Sequence, residues 1–293
     1  MKDAIEAVEL AFKAHGNNSA GNLTQPFDVK GKTMMIKAGY IESEKIVGLK
    51  TLGLVIVNSL ESLGTPIAIM EHSQITWLRT GAAGAVAAKH LARKDCSKVG
   101  VIGTGRQGRA QLIGLNEVFK IGHVKAWSPT KEHRDAYAKE MSTRLGIPVE
   151  VAGTAKEAVQ DRDIVVTATR AREPFVEDGW IGSGTHINAI GADSPGMQEL
   201  TVKLLKRAKV FADDIEQAMR IGAVNVGVAN KSLTRENIRG SLGEVVAGKI
   251  RGRTSSDEIT VFDCSGLGMM DVALGSIVHR RAIDKNLKTT KLI

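Results

Sequence analysis

The feature that most constrains this 293-residue chain is one glycine turn together with its flanks. Lys98-Val99-Gly100-Val101-Ile102 reads as a buried strand and runs into Gly103-Thr104-Gly105-Arg106-Gln107-Gly108, after which a helical pattern begins with Arg109-Ala110-Gln111-Leu112. Each glycine has a physical task in such a turn. Gly103 permits the tight bend, Gly105 lets the backbone approach a pyrophosphate, and Gly108 lets the helix pack on its strand. The helix N-terminus then offers free N–H groups to the phosphates. A glycine-rich turn alone is a weak signal, but the strand before it and the helix after it make it a dinucleotide fingerprint, with Arg106 and Gln107 on the cofactor side.

Beyond Lys94-Asp95 strands and helices alternate. Strands are expected at 98–103, 123–127, 149–152, 164–169, 186–190, 209–213 and 259–263, with helices such as 131–144 and 197–207 between them. That grammar predicts an α/β fold with a Rossmann-like, doubly wound parallel sheet. The first part of the chain reads differently. A helix is expected over 3–15, then a polar, glycine-bearing stretch, His15 to Asn22. From Phe27 to Met70 come strand-like runs, Thr33–Ile36, Ile46–Leu49, Leu54–Val57 and Ile67–Met70, with Leu63-Gly64-Thr65-Pro66 as a hairpin turn. A small-residue helix over 74–93 has faces suited to close packing, inside the protein or at a subunit interface. The last helix, about 269–284, is expected to return to this first part. The division is therefore residues 1–94 with 270–293 as an α+β domain, to which the family resemblance described below gives substrate binding and dimerisation, and 95–269 as the dinucleotide domain.

Composition narrows the partners. The net charge is +8, yet the cations are dispersed among acids, and only 4% of residues are aromatic, so the stacking platforms of nucleic-acid binders are missing. An anionic cofactor or substrate accounts for the excess as well. No apolar run approaches the ~18 residues that span a bilayer. The charged N-terminus is unlike a secretory signal, which predicts a cytoplasmic protein. Cys96 and Cys264 read as buried free thiols, and the histidines show no metal-ligand spacing.

The second strand of the nucleotide unit ends at Ser128, where an acid would bind the ribose diol of NAD. Ser128, Thr130 and Lys131 suit a 2′-phosphate instead, so NADP(H) is favoured over NAD(H), although Lys131 also fits a solvated first helical turn. Asp193, on a small-residue loop after the strand at 186–190, is placed either for acid/base work or to cap a helix starting near Met197. Thr167 and Thr169 end another strand toward the cofactor. Lys50 ends an apolar strand, and Arg79 lies in the first turns of the small-residue helix; each is a functional cation or a surface charge.

Several stretches together bring a family into view: Gly48-Leu49-Lys50, Leu78-Arg79-Thr80-Gly81-Ala82-Ala83, Gly103 to Gly108, Gly184-Thr185-His186-Ile187-Asn188-Ala189-Ile190-Gly191-Ala192-Asp193, Leu242-Gly243-Glu244-Val245 and Thr260 to Gly268. On these the chain resembles the ornithine cyclodeaminase/mu-crystallin family over nearly its full length, and within it the archaeal alanine dehydrogenases. The resemblance implies a Rossmann-like cofactor domain, a substrate domain built from both chain ends, and a homodimer. It implies Lys50 as the active-site lysine, Asp193 as acid/base carboxylate, Arg79 as a clamp on the substrate carboxylate, and Ser265 and Gly266 near the nicotinamide. Trp127-Ser128-Pro129-Thr130-Lys131-Glu132 looks like the NADPH-binding pattern of mu-crystallin. Departures are also present. A second carboxylate-binding arginine is expected near Gln25, and Lys37 is the nearest replacement. The segment after Lys50 is shorter than in the family, which implies a more open pocket, and the chain starts inside what is normally the second structural element.

Three functions compete. The first is an NAD(P)-dependent oxidoreductase moving a hydride to or from the α-carbon of a small amino or imino acid, as an alanine dehydrogenase or imine reductase does. The second is a cyclodeaminase that releases ammonia with a catalytic cofactor, and it needs an acidic partner for a distal amine. The third is an NADPH-dependent binding protein like mu-crystallin, against which the presence of both Lys50 and Asp193 weighs.

Overall fold

A computed structural model describes residues 1–30, 32–63 and 65–287, and the statements below concern these. The expected hairpin turn at Leu63–Pro66 includes Gly64, and the expected domain end includes 288–293, so these parts lie outside the described residues.

The chain opens with helix α1 (Lys2–Gly16), whose Ile5, Val8 and Phe12 stripe is buried as its spacing requires. Five antiparallel strands follow in sequence order, β1 (Ala20–Val29), β2 (Lys32–Ile41), β3 (Ile46–Thr51), β4 (Leu54–Ser59) and β5 (Pro66–Glu71). β1 begins earlier than the sequence suggested, because its Gly, Asn, Gln and Pro mask the strand pattern. The link between β3 and β4 is the two-residue turn Leu52-Gly53, with φ of +46° and +88°; two positive angles match a type I′ hairpin. The short segment after Lys50 is therefore a closed hairpin.

Helix α2 (His72–Leu91) leaves this sheet and enters the second one. Its alanine and glycine face is internal: a Cβ on Gly81 would lie 2.4 Å from the Ala110 carbonyl oxygen, so only glycine allows the two helices to approach so closely.

The second sheet is parallel, with order β12-β11-β13-β10-β9-β6-β7-β8. Its elements in chain order are β6 (Lys98–Ile102), α3 (Arg106–Val118), β7 (His123–Trp127), α4 (Lys131–Leu145), β8 (Val149–Val151), α5 (Ala155–Val159), β9 (Ile164–Thr167), β10 (His186–Ala189), α6 (Val202–Arg207), β11 (Lys209–Ala212), α7 (Ile215–Ile221), α8 (Asn225–Ala229), β12 (Ile238–Ser241), α9 (Leu242–Val246) and β13 (Thr260–Asp263). This is the expected doubly wound α/β architecture. The chain turns one way after β6 and the other way at β9, so a crevice opens beyond the carboxyl ends of these two neighbours.

Two expectations are corrected. β12, with a glycine in its middle, was not foreseen. The helix expected from Met197 starts only at Val202, capped by Thr201, because residues 198–201 hydrogen-bond to residues 171–176 rather than to one another.

Finally α10 (Gly268–Asp284) leaves the parallel sheet and lies on β2, β3 and β4. Gly39 and Gly48 are cross-strand partners at the place where α10 begins, and a Cβ on Gly39 would sit 2.4 Å from the Met269 nitrogen. The groove they leave admits the first turn of the helix.

Candidate active site

The crevice at the switch point holds a cavity of about 790 Å³. Its walls come from the loop after β6 (Gly105, Arg106, Gln107), the loop after β9 (Ala168, Thr169, Arg170), the loop after β10 (Ile190, Gly191, Asp193) and the start of α2. The glycine turn is built as its spacing required. Gly103 has φ +99°, and a Cβ there would meet the Ala168 carbonyl at 2.4 Å. A Cβ on Gly108 would meet the Gly103 carbonyl at 2.1 Å, whereas Gly105 faces open space. α3 starts at Arg106 without a side-chain cap, so its first N–H groups remain available to an anion. Tyr137 of α4 donates to the Gly108 carbonyl at 3.1 Å and Trp77 to the Arg106 carbonyl at 2.8 Å, which fixes the turn from both sides. An open cradle beside free helix N–H groups fits a dinucleotide.

At the end of β7, Ser128 is buried and shares a hydrogen bond of 2.7 Å with Thr104. Arg134 donates to the Ser128 carbonyl at 3.1 Å. Thr130 is exposed at the start of α4, and Lys131 reaches into solvent to pair with Asp135. Neither lines the crevice. Thr167 is fully buried and donates to Glu199 at 2.7 Å, so its expected place facing a cofactor is corrected: it holds a carboxylate instead. Thr169 does line the crevice, and its N–H and hydroxyl bond the same Glu199. Glu199 also accepts from the Gly191 N–H, so one buried acid ties together two crevice loops. Burial pushes its carboxyl up, and these hydrogen bonds oppose the rise.

A second cavity of about 190 Å³ adjoins the first. Met35, Thr76, Gln107, Ile190 and Asp193 line both. The smaller one brings together Lys37, Lys50, Arg79, Asp193, Ser265 and Gly266, which are scattered along the sequence. Lys37 and Lys50 are direct cross-strand partners, an arrangement that costs stability between like charges. Arg79 comes from α2 and is only 5% exposed. Lys37 donates to the carbonyls of Ser265 at 2.9 Å and Gly266 at 2.7 Å. Gly266, with φ +84°, lies against the cations: a Cβ there would meet Arg79 Nη1 at 2.6 Å and Lys37 Nζ at 3.1 Å. Its turn is held by Gln217 and by buried Asp213, which accepts from Ser265 and from the Gly266 N–H.

Burial lowers the pKa of Lys50 to about 8; Asp271 resists the fall, while Arg79 and Lys37 add to it. Lys37 is lowered too, first by burial and then by Arg79. Asp193 is exposed at the mouth of the cavity and caps no helix, so the structural alternative for it falls away. Gln25, where a second arginine was expected, is exposed.

The sequence reading missed Asp271. It lies in the first turns of α10 and is fully buried, with Oδ1 at 3.2 Å from Arg79 Nε and 3.5 Å from Lys50 Nζ. The available signal was a lone acid in the apolar run Met269-Met270-Asp271-Val272-Ala273-Leu274. Glu199 and Asp213 were missed as well, because their partners are backbone N–H groups and hydroxyls brought near only by folding.

Comparison with known proteins agrees with this layout. An alanine dehydrogenase of Archaeoglobus fulgidus is 40% identical, over 98% of this chain and 92% of its own. The solved structure of an archaeal alanine dehydrogenase dimer with bound NAD superposes with a TM-score of 0.94 at 38% identity, covering 100% of this chain and 95% of the other. The Delta(1)-pyrroline-2-carboxylate reductase of Thermococcus litoralis, solved with NADH and L-proline, superposes with a TM-score of 0.95 at 32% identity, over 99% and 96% of the two chains. The sequence profile of the ornithine cyclodeaminase/mu-crystallin family matches residues 30–286. The chain therefore belongs to the ornithine cyclodeaminase/mu-crystallin family.

Proposed function

We propose that the protein is an NAD(P)-dependent oxidoreductase that moves a hydride to or from the α-carbon of a small amino acid or its imine. One observation carries the reading: a compact cavity with three cations and one exposed carboxylate shares a wall with the dinucleotide crevice. Both Nη groups of Arg79 lack a protein hydrogen bond among the described residues, which leaves the guanidinium fork for a substrate carboxylate. Lys50 in its ammonium form polarises the substrate and gives a proton. Asp193, at the junction of the two cavities, exchanges a proton with the substrate nitrogen. When bound, the nicotinamide accepts or supplies the hydride. Gly103, Gly105 and Gly108 seat its pyrophosphate together with the backbone of Arg106 and Gln107. Ser265 and Gly266 place Lys37 as a second charge near the carboxylate.

In this reading residues 1–94 with 270–293 form the substrate and dimerisation domain and 95–269 the cofactor domain. The outer face of the antiparallel sheet supports a homodimer, since a cross-strand row, Leu23, Ala38, Leu49, Ile56 and Ile69, lies on the side away from α10. Leu23, Ile67 and Ile69 on this sheet are exposed, as an unpaired interface would be. No helix among the described residues is long and apolar enough to cross a membrane. NADP(H) over NAD(H) is supported by the missing carboxylate after β7 and by Arg134 and Thr130 beside Ser128, rather than by Lys131, which is paired in solvent.

A cyclodeaminase would bring a second ammonium into a cavity that already holds three cations and is lined by a single acid, Asp193. That balance favours net redox chemistry. The test is a nicotinamide absorbance screen with imines, and with 2-oxoacids plus ammonia or amines. Net NADPH oxidation in proportion to product is expected. Ammonia release from a diamino acid on catalytic cofactor, without net absorbance change, would reverse the ranking.

A further inference from the structure

Asp271 comes from the helix that closes the substrate side of the molecule, and its position is costly. It is fully buried, and its Oδ2 finds no hydrogen-bond partner among the described residues. A buried carboxylate in that state costs free energy unless neighbouring charges offset it. Its Oδ1 is shared by Arg79 Nε and Lys50 Nζ. Burial alone would push its carboxyl up, but Arg79, Lys50 and Lys37 together hold it below the ordinary value, so it remains an anion. By taking Nε it leaves both Nη groups of Arg79 free. By standing 3.5 Å from Lys50 it opposes the burial and, after it, the two cations that drive that lysine toward the neutral amine.

We propose that Asp271 is the positioning residue of the substrate cavity, aiming the Arg79 fork at the substrate carboxylate and keeping Lys50 charged. It touches neither substrate nor cofactor and acts through these two side chains. The idea rests on the oxidoreductase reading for its kinetic arm only. The groups that face Lys50 are Asp271 from α10, Arg79 and Thr76 from α2, with His72 behind Thr76, Lys37 from β2, and Asp193 from the loop after β10. Among them Asp271 is the anion in direct contact.

The test compares Asp271→Asn with the wild type, both saturated with NADPH. Lysines are reductively methylated with ¹³C, and the Lys50 signal is assigned by its loss in Lys50→Arg. The midpoint of that signal should fall by about one pH unit or more in Asp271→Asn, as expected when a contacting opposite charge is removed. KM for the carboxylate substrate should rise at least ~10-fold while NADPH affinity stays within about twofold. A folded variant with an unchanged Lys50 midpoint would overturn the proposal, as would loss of NADPH affinity in step with activity. Asp271→Ser, smaller and neutral, serves if the asparagine disturbs packing. Should neither variant fold, the wild type decides: a Lys50 midpoint below about 7 means the lysine is not kept charged and overturns the proposal, and one at about 8 or above supports it. A shifted midpoint in an enzyme that reduces no imine would support the role of Asp271 and overturn the oxidoreductase reading.

Discussion

The two adjoining cavities are built on opposite principles. The wide crevice takes its walls largely from neighbouring βα loops and the start of α2, with backbone N–H groups at a helix N-terminus and the side chains of Arg106, Arg170 and Arg172 as its sources of positive potential. The small cavity takes five charged side chains, Lys37, Lys50, Arg79, Asp193 and Asp271, and two backbone carbonyls from an antiparallel sheet, two long helices and two loops. Backbone groups hold their direction whatever the neighbouring side chain is. A charge cluster is balanced only as a whole, so removing one member leaves the others unpaired at low dielectric. One cavity should therefore tolerate side-chain change and respond to backbone change, and the other should do the reverse.

The largest effect that would sharpen this contrast is expected at Asp193. Asp193→Asn keeps shape and removes basicity, so turnover should drop by about 10²–10⁴-fold with dinucleotide affinity unchanged. Equal loss of both in single-turnover and binding measurements would break the separation of the cavities.

Lys50→Ala should lower turnover by at least ~100-fold, again without affecting the dinucleotide. A large loss of cofactor binding would place Lys50 in a structural role instead. The same lysine sets a pH limit. Its folded pKa of about 8 lies below its unfolded value, so the ammonium is present below about 8 and is lost as pH rises through it. The profile of kcat/KM should therefore fall on the alkaline side by about tenfold per pH unit. A flat profile up to pH 10 or so would remove the charged form from the mechanism.

Changes in the crevice should act on binding. Gly108→Ala places a Cβ 2.1 Å from the Gly103 carbonyl, so the turn must shift. Overpacking of this kind costs about 1–3 kcal/mol, which predicts a lower Tm and dinucleotide affinity reduced by ~10-fold. Turnover at saturating cofactor should change less. An unaltered Kd would show that the turn does not seat the pyrophosphate.

The smallest expected effect is in cofactor choice. Ser128→Asp puts a carboxylate where a 2′-phosphate would lie and should move the ratio of NADPH to NADH affinity by ~10-fold toward NADH. Tighter NADH binding in the wild type would remove the NADP(H) preference and leave the rest of the reading intact.

What could be read along the chain was what neighbouring residues decide among themselves. Gly103, Gly105 and Gly108 act within six residues, and the periodicities of β6, α3, α4 and α10 need only their own stretch of chain. Lys50 and Asp193 could be singled out by local context, a cation ending an apolar strand and an acid on a small-residue loop. Their grouping with Lys37 and Arg79 came from the family resemblance and not from local context, because these four are joined by strand register and by the path of α2 rather than by spacing. The clearest case is Asp271. In sequence it is one acid in an apolar helix, and only the groove left by Gly39 and Gly48 brings that helix onto β2 and β3. Fold class and the dinucleotide turn were thus determined locally, by backbone sterics and hydrophobic periodicity. The charge balance of the substrate cavity was decided by tertiary structure, since an ion cluster exists only where distant elements exclude water around it.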